Sequence, residues 1–146
     1  KIIDFDCSYV KGDVLLRTSG TPDYRSPELR KKECKKPFLA DIYSCGIILF
    51  VLMTHRPPYL EDKLTGGFDL QALMLKQNPK FWMIHEKFKA GVSTDKEFRN
   101  LFFSMVREQT AKRISIQKIK ENSLYKGPIY SSEELKQILA DLTPSF

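Results

Sequence analysis

Two stretches near the start of the chain decide its fold: Asp4-Phe5-Asp6, and then Gly20-Thr21-Pro22-Asp23-Tyr24-Arg25-Ser26-Pro27-Glu28. Residues 1–5 are short, apolar and rich in β-branched side chains, which predicts a buried strand that ends at a polar site. Residues 6–28 show no regular hydrophobic period and carry glycines and prolines, so they form a long loop. Loops of this length inside a compact domain are usually functional.

These stretches resemble the two ends of the activation segment of eukaryotic protein kinases, in the right order and at the right spacing. Two later stretches are similar to further motifs of the family. The run Asp41-Ile42-Tyr43-Ser44-Cys45-Gly46 resembles the start of the central helix, and residues 109–115 resemble a late segment that holds an arginine. The context of Thr21 is typical of Ser/Thr kinases, and residues 15–20 resemble the activation loops of calmodulin-dependent and related kinases. Residues 81–86 and the Gly127-Pro128 tail are similar to some calcium/calmodulin-type kinases of protists.

The resemblance implies an α+β, protein-kinase-like fold. This chain would supply the mostly α-helical C-terminal lobe, and the N-terminal lobe and the catalytic loop would be absent from it. Residues 1–126 would be a partial kinase domain, with the activation segment at 4–28 and the helical C-lobe at 29–126. Residues 127–146 would form a C-terminal helical extension.

Hydrophobic patterning predicts the helices. The run 42–53 is apolar on nearly every face, which predicts a helix buried all round, capped by Asp41 and too short to span a bilayer. Gly46 lowers the stability of a helix, so we expect a neighbouring segment to approach it closely. The other helical patterns are residues 70–77, residues 94–106 behind a Thr94–Glu97 capping box, residues 115–119 and residues 131–142, and residues 81–84 form an aromatic cluster typical of core packing.

The resemblance assigns roles to four residues of the site. Asp4 would ligate Mg²⁺ that bridges the phosphates of ATP, and Phe5 beside it would pack inward. Thr21 would support the segment that holds the acceptor hydroxyl. Asp41 would hold the backbone of the catalytic loop, although a role as helix cap alone is compatible with the same residue.

Three further assignments concern structure and regulation. By resemblance, Glu28 and Arg113 would form a buried ion pair with a structural role. Phosphorylation by an upstream kinase is expected at Thr18 or Ser19, where phosphate would pair with arginine and order the loop. An unmodified exposed hydroxyl is the alternative at these two positions.

The implied function is that of a protein serine/threonine kinase, which transfers the γ-phosphoryl group of ATP to Ser or Thr hydroxyls of protein substrates. The implied cofactors are ATP and Mg²⁺, and we expect these 146 residues alone to be inactive. Asp6 stands where the family has glycine, and this departure favours the alternative of a pseudokinase that serves as a binding or scaffold domain. An independent helical interaction module is a third hypothesis.

Composition sets outer bounds on the function. The net charge of +6 is concentrated in residues 30–36, which form either a solvated loop or a docking patch for acidic or phosphorylated partners. No aromatic residues interleave with these charges, so we expect no nucleic-acid binding, and we expect no membrane partner. The three cysteines have neither disulfide nor zinc spacing, which indicates a reducing, cytoplasmic setting. Neither His55 nor His85 has a metal-ligand pattern around it, so both are predicted to be structural.

Overall fold

The structure, a computed structural model, describes residues 3, 5–8, 20–32, 34–59, 67–88 and 95–142. Within these ranges the chain is helical and contains no strand, which confirms the prediction of a mostly helical lobe. The predicted strand at 1–5 falls largely outside the described residues, and Ile3 and Phe5 have no regular structure. The helices are α1 (Pro27–Arg30), α2 (Pro37–Thr54), α3 (Leu70–Leu75), α4 (Lys80–Phe88), α5 (Lys96–Met105), α6 (Ile116–Glu121) and α7 (Ser132–Leu142), with 3₁₀ helices at Pro22–Tyr24 and Thr110–Lys112.

The long helix α2 begins five residues earlier than the hydrophobic pattern predicts. Pro37 occupies its first turn, where the fixed φ of proline suits a helix and the missing N–H is not needed. Asp41 therefore lies in the second turn, and the prediction that it caps this helix is wrong. The helix ends at His55, which adopts a left-handed φ of 56° and donates its N–H to the Val51 carbonyl at 2.7 Å.

One face of α2 forms the hydrophobic core. Phe50 lies at its centre and is fully buried. Its ring centroid lies between 4.8 and 6.4 Å from those of Phe81, Trp82, His85, Phe98 and Phe102. The prediction that residues 81–84 pack in the core is confirmed for Phe81, Trp82 and Ile84, whereas Met83 is 59% exposed.

Gly46 marks the closest approach between α2 and the end of α5. A Cβ atom built on Gly46 would lie 3.0 Å from Met105 Cβ and 3.0 Å from Val106 Cγ1. Such distances are shorter than ordinary van der Waals contact, so only glycine fits without movement of the neighbours. The predicted close approach at this position is therefore confirmed.

The opposite face of α2 is exposed, and the prediction of a helix buried all round is wrong for this chain. Phe38, Asp41, Cys45, Ile48 and Leu52 follow one another at helical spacing along this face. Phe38 is 63% exposed and Leu52 is 67% exposed. No described segment covers this stripe, which we call the exposed stripe of α2.

Length alone does not exclude α2 from spanning a membrane, contrary to the prediction from its apolar run. The helix has 18 residues with a mean hydropathy of 1.8, which meets the lower limit for a bilayer span. The apolar residues of α2 are explained by its packing in the core, however. Tyr43, Ile47 and Phe50 are buried in the protein core, as in the central helix of a globular domain.

Side-chain caps define the starts of the later helices. Asp95 accepts the Glu97 N–H at 2.8 Å at the start of α5, so Asp95 supplies this cap, and Thr94 lies outside the described residues. Ser115 accepts from the Lys118 N–H at 3.4 Å, as predicted for α6. At α7, Ser131 and Glu134 form a reciprocal capping box.

Candidate functional site

The residues from Gly20 to Tyr24 form a compact turn on the protein surface. Gly20 has a left-handed φ of 91°, which glycine adopts without strain. Thr21 precedes the first 3₁₀ helix and accepts the Tyr24 N–H on its carbonyl at 3.2 Å. Arg25 closes the turn, because its Nε donates to the Gly20 carbonyl at 2.8 Å. The side chain of Thr21 is exposed and makes no cap hydrogen bond, so its hydroxyl faces solvent.

A single hydroxyl attaches this turn to helix α2. Ser44 donates from Oγ to the Tyr24 carbonyl at 2.8 Å, and the same Oγ lies 3.2 Å from the carbonyl of Ala40. Ser44 belongs to the motif at the start of the central helix, but no role in the site was predicted for it, because only the packing shows which side of α2 meets the turn.

Glu28 and Arg113 form a bidentate ion pair at the base of the site. Arg113 Nη1 donates to Glu28 Oε1 at 2.6 Å, and Nη2 donates to Oε2 at 3.0 Å. The Arg113 side chain is fully buried and that of Glu28 is 10% exposed. Burial acts to raise the pKa of Glu28, but hydrogen bonds and the charge of Arg113 outweigh it, so the pKa lies below its ordinary value.

Arg113 uses all five of its N–H donors. Besides the two bonds to Glu28, Nη1 donates to the Leu39 carbonyl at 2.6 Å, and Nε and Nη2 donate to the Arg107 carbonyl at 3.1 and 2.8 Å. Its guanidinium carbon also lies 5.3 Å from the ring centroid of Tyr43. One side chain thus joins the end of the 20–28 segment, the start of α2 and the loop after α5.

A cavity of about 490 Å³ opens beside the turn. Its lining includes Asp23 from the 3₁₀ helix, Arg30 from α1, Tyr59, and Asp69 at the start of α3. Arg30 is already engaged, because its Nη2 donates to the Pro22 carbonyl at 3.1 Å and its guanidinium lies 6.0 Å from the Tyr59 ring centroid. The cavity therefore presents the carboxylates of Asp23 and Asp69 to solvent, with one oxygen of Asp69 accepting the Ala72 N–H at 2.9 Å.

The wall of this cavity is anchored to the core by two tyrosines. The phenolic oxygens of Tyr43 and Tyr59 lie 2.7 Å apart, and Tyr43 is fully buried. Burial raises the pKa of both phenols above the ordinary value, and the neighbouring Tyr43 hydroxyl reinforces this for Tyr59. Both groups are therefore neutral hydrogen-bonding partners at neutral pH. Sequence reasoning did not identify Tyr59, Asp23, Arg30 or Asp69 as part of a site.

The structure describes only part of the predicted site. Asp4, Thr18 and Ser19 lie outside the described residues, and the predictions for them stay predictions. Phe5 is 66% exposed, so the inward packing implied by the resemblance does not occur in this chain, where no described apolar surface covers its ring.

Asp6 lies in a turn. Among the described non-glycine residues, positive φ occurs at Lys32, His55 and Gln77 and not at Asp6, so aspartate causes no left-handed strain there.

Asp41 lies on the exposed stripe of α2, and no hydrogen bond links it to Thr21 within the described ranges. Partial desolvation by the surrounding protein raises the pKa of its carboxyl group. The described residues likewise contain no cluster of three or more His, Cys, Asp or Glu side chains that would hold a metal ion.

Comparison with known proteins identifies the family. Residues 1–125 match the model of the protein kinase domain. The chain is 33% identical over 134 residues to CBL-interacting protein kinase 15 of Oryza sativa subsp. japonica, an alignment that covers 88% of this chain and 28% of that protein. It is 32% identical over 152 residues to CBL-interacting serine/threonine-protein kinase 24 of Arabidopsis thaliana, covering 100% of this chain and 31% of that protein.

A third relative is a probable serine/threonine-protein kinase of Dictyostelium discoideum, 35% identical over 127 residues, with 84% of this chain and 13% of that protein covered. The chain spans less than a third of the length of each of these relatives. The helical architecture agrees with the helical lobe that the sequence predicted. This chain belongs to the protein kinase domain family.

Proposed function

We propose that the protein carrying this chain is a cytoplasmic serine/threonine kinase that transfers the γ-phosphoryl group of ATP to Ser or Thr hydroxyls of protein substrates. One observation carries the proposal. The segment 20–28 is held in a defined conformation on the helical lobe by the Glu28–Arg113 pair and by Ser44, in a chain whose relatives are named as protein kinases.

The segment 20–28 has the properties of a docking surface for a protein substrate. Its 3₁₀ helix is held in place, because backbone hydrogen bonds join Thr21 to Tyr24 and Pro22 to Arg25. The Arg25 side chain also donates to the Gly20 carbonyl. Positioning is the main contribution that a kinase makes to phosphoryl transfer. An exposed Thr21 hydroxyl at the edge of this rigid turn is placed to contact catalytic groups contributed by residues outside this chain.

The charges that line the cavity beside the turn favour a substrate with a basic side chain. Asp23 and Asp69 line it with carboxylates, whereas Arg30 is held against Pro22 and Tyr59. A lysine or arginine of a substrate would find two carboxylates there, and charge-assisted hydrogen bonds of this kind are the stronger ones. We therefore assign the cavity to a basic side chain of the protein substrate.

The nucleotide and its metal ion are assigned by resemblance alone. Asp4 would hold Mg²⁺, which neutralises charge on the phosphates when it is bound. We assign no step to the ion. The contribution of the described residues is to hold the acceptor protein in place.

A pseudokinase that binds partners through the same surface is the second candidate. Asp6 in place of glycine is the observation that favours it. A domain of this kind would keep the ion pair, the turn and the cavity, since all of them serve folding and docking.

The complete protein, supplied with Mg²⁺ and radiolabelled ATP, tests the proposal. We expect transfer of phosphate to a Ser/Thr peptide library, with basic peptides preferred, and loss of transfer in Asp4→Asn. Asp141→Asn, an exposed aspartate on α7, is the matched control and should leave the rate unchanged. If neither the wild-type protein nor Asp4→Asn transfers phosphate, and circular dichroism shows that both are folded, the pseudokinase hypothesis is supported instead.

A further inference from the structure

A second cavity lies on a different part of the lobe. It has a volume of about 230 Å³ and lies between the end of α3 and the loop that follows α5. Three cationic side chains line it, Lys76, Arg107 and Lys112. Gln77 and Gln109 add amide groups, and Glu108 is the carboxylate of the lining. This basic cavity shares no residue with the cavity beside the 20–28 turn.

Within the described part of the chain, the three cations form no ion pair with an acidic side chain. The ion pairs among the described residues are Lys31–Glu108, Arg99–Glu86 and Glu28–Arg113, and none involves Lys76, Arg107 or Lys112. Glu108 is engaged by Lys31, whose Nζ lies 3.3 Å from its Oε1. The cavity therefore concentrates positive charge in a concave site, where the field is focused.

The walls of the basic cavity are rigid. The Arg107 carbonyl accepts two hydrogen bonds from the buried guanidinium of Arg113. Lys112 closes the 3₁₀ helix next to Arg113, with its N–H donated to the Gln109 carbonyl at 2.9 Å. On the other side, Gln77 Nε2 donates to the Phe103 carbonyl at 2.8 Å and holds the end of α3 against α5. Because the backbones are fixed, the ordering cost of binding an anion falls on the three cationic side chains alone.

Lys31, from the basic stretch of the sequence, lies beside this cavity, because its Nζ contacts Glu108 Oε1 in the lining. Its charge offsets that of Glu108, so the three lining cations are left to attract an anion.

We propose that the basic cavity binds a phosphorylated serine or threonine of a partner protein. Three cationic side chains in one lining complement the charge and the three acceptor oxygens of a phosphomonoester. Amide side chains in the lining suit the adjacent peptide groups. The described residues of the lining include no aromatic side chain, so they offer no stacking surface for nucleic-acid bases. The concave form of the cavity also differs from the flat basic faces that bind membranes. The site is independent of phosphoryl transfer, and its failure would leave the proposed kinase function untouched.

Fluorescence anisotropy with the complete protein tests the site. The probe is a labelled peptide of glycine and serine that carries one phosphoserine. The same peptide without the phosphate is measured for comparison. We expect at least about tenfold tighter binding of the phosphorylated peptide, with competition by inorganic phosphate and weakening as salt is raised. The variant Lys76→Gln/Arg107→Gln/Lys112→Gln should lose at least about tenfold in affinity.

The matched control is Lys118→Gln/Lys120→Gln/Lys126→Gln, which removes the same charge from exposed positions on and after α6. It should change the affinity by less than about twofold. Equal binding of both peptides, or equal weakening by the two triple variants, would overturn the proposal. So would binding to phosphatidylserine vesicles or to single-stranded RNA that exceeds binding to the phosphopeptide and depends on the same three cations. Unchanged thermal unfolding of each variant verifies that the fold is intact.

Discussion

Arg113 reaches across 85 residues of sequence to hold both carboxylate oxygens of Glu28, and the bonds measure 2.6 and 3.0 Å. Removal of one partner leaves the other charge buried and unpaired, which costs about 3–5 kcal/mol. We expect Glu28→Leu to lower the free energy of unfolding by this amount in urea titrations of the complete protein. Glu108→Gln, at the exposed pair with Lys31, should cost about 0–1 kcal/mol. Similar losses in both variants would contradict the structural role of the buried pair.

Gly46→Ala should destabilise the protein although alanine is the better helix former by about 1 kcal/mol. The added methyl would meet Met105 Cβ and Val106 Cγ1 at 3.0 Å, and overpacking of this kind costs about 1–3 kcal/mol. Cys45→Ala, at the exposed neighbouring position of α2, is the control and should change little. A thermal unfolding midpoint of Gly46→Ala at or above that of the wild type would show that the two helices are not closely packed.

His85 makes stability depend on pH. Its ring is buried against Phe50 and Phe81, and desolvation, assisted by the charge of Arg56, lowers its pKa to about 4. Between the ordinary pKa of 6.5 and 4, the unfolded chain binds a proton that the folded protein does not. Stability is therefore complete above pH 6.5 and falls with pH, by on the order of 3 kcal/mol near pH 4.

The test of this effect is urea unfolding between pH 4.5 and 7.5. His85→Phe removes the titrating ring and keeps the aromatic packing, although the bond to the Pro58 carbonyl is lost. We therefore expect the stability of this variant to change less with pH over this range. His55→Asn is the matched control, because asparagine tolerates the left-handed φ of this exposed position. A slope in His85→Phe as steep as in the wild type would assign the pH dependence to other groups.

Asp23 and Asp69 are expected to select basic substrates. Asp23→Asn should raise KM for an arginine-containing peptide by about tenfold and leave kcat nearly unchanged, because the lost interaction is the same in the ground state and in the transition state. A peptide without basic residues is the internal control and should be insensitive. An equal effect on both peptides would show that Asp23 acts on the conformation of the turn.

The exposed stripe of α2 should make the isolated 146 residues prone to self-association. Phe38, Ile48 and Leu52 are large apolar side chains that are exposed on one face of α2, and exposed apolar surface of this kind favours association. Ile48→Gln/Leu52→Lys should reduce aggregation in sedimentation velocity, whereas Met83→Gln, at an exposed position of α4, should not. A monodisperse wild-type monomer with a sharp, cooperative melt would refute this prediction.

Much of the fold was predictable because its signals are local. The apolar run of α2, the helix that begins behind Ser115 and the close approach at Gly46 follow from the preferences of neighbouring residues. The start of α2 was misplaced, since Pro37 can either end an extended segment or begin a helix. That choice depends on what packs against the first turn.

The sequence by itself determined the helical lobe and the family to which the chain belongs, because spacing within a motif is a property of the chain alone. It also indicated that Glu28 and Arg113 pair. Only the tertiary structure decided that Arg113 binds the carbonyls of Leu39 and Arg107, that Ser44 holds the 20–28 turn, and that two cavities of opposite charge open on the lobe. The physical reason is that these contacts join residues far apart in sequence, whose meeting depends on how the helices pack.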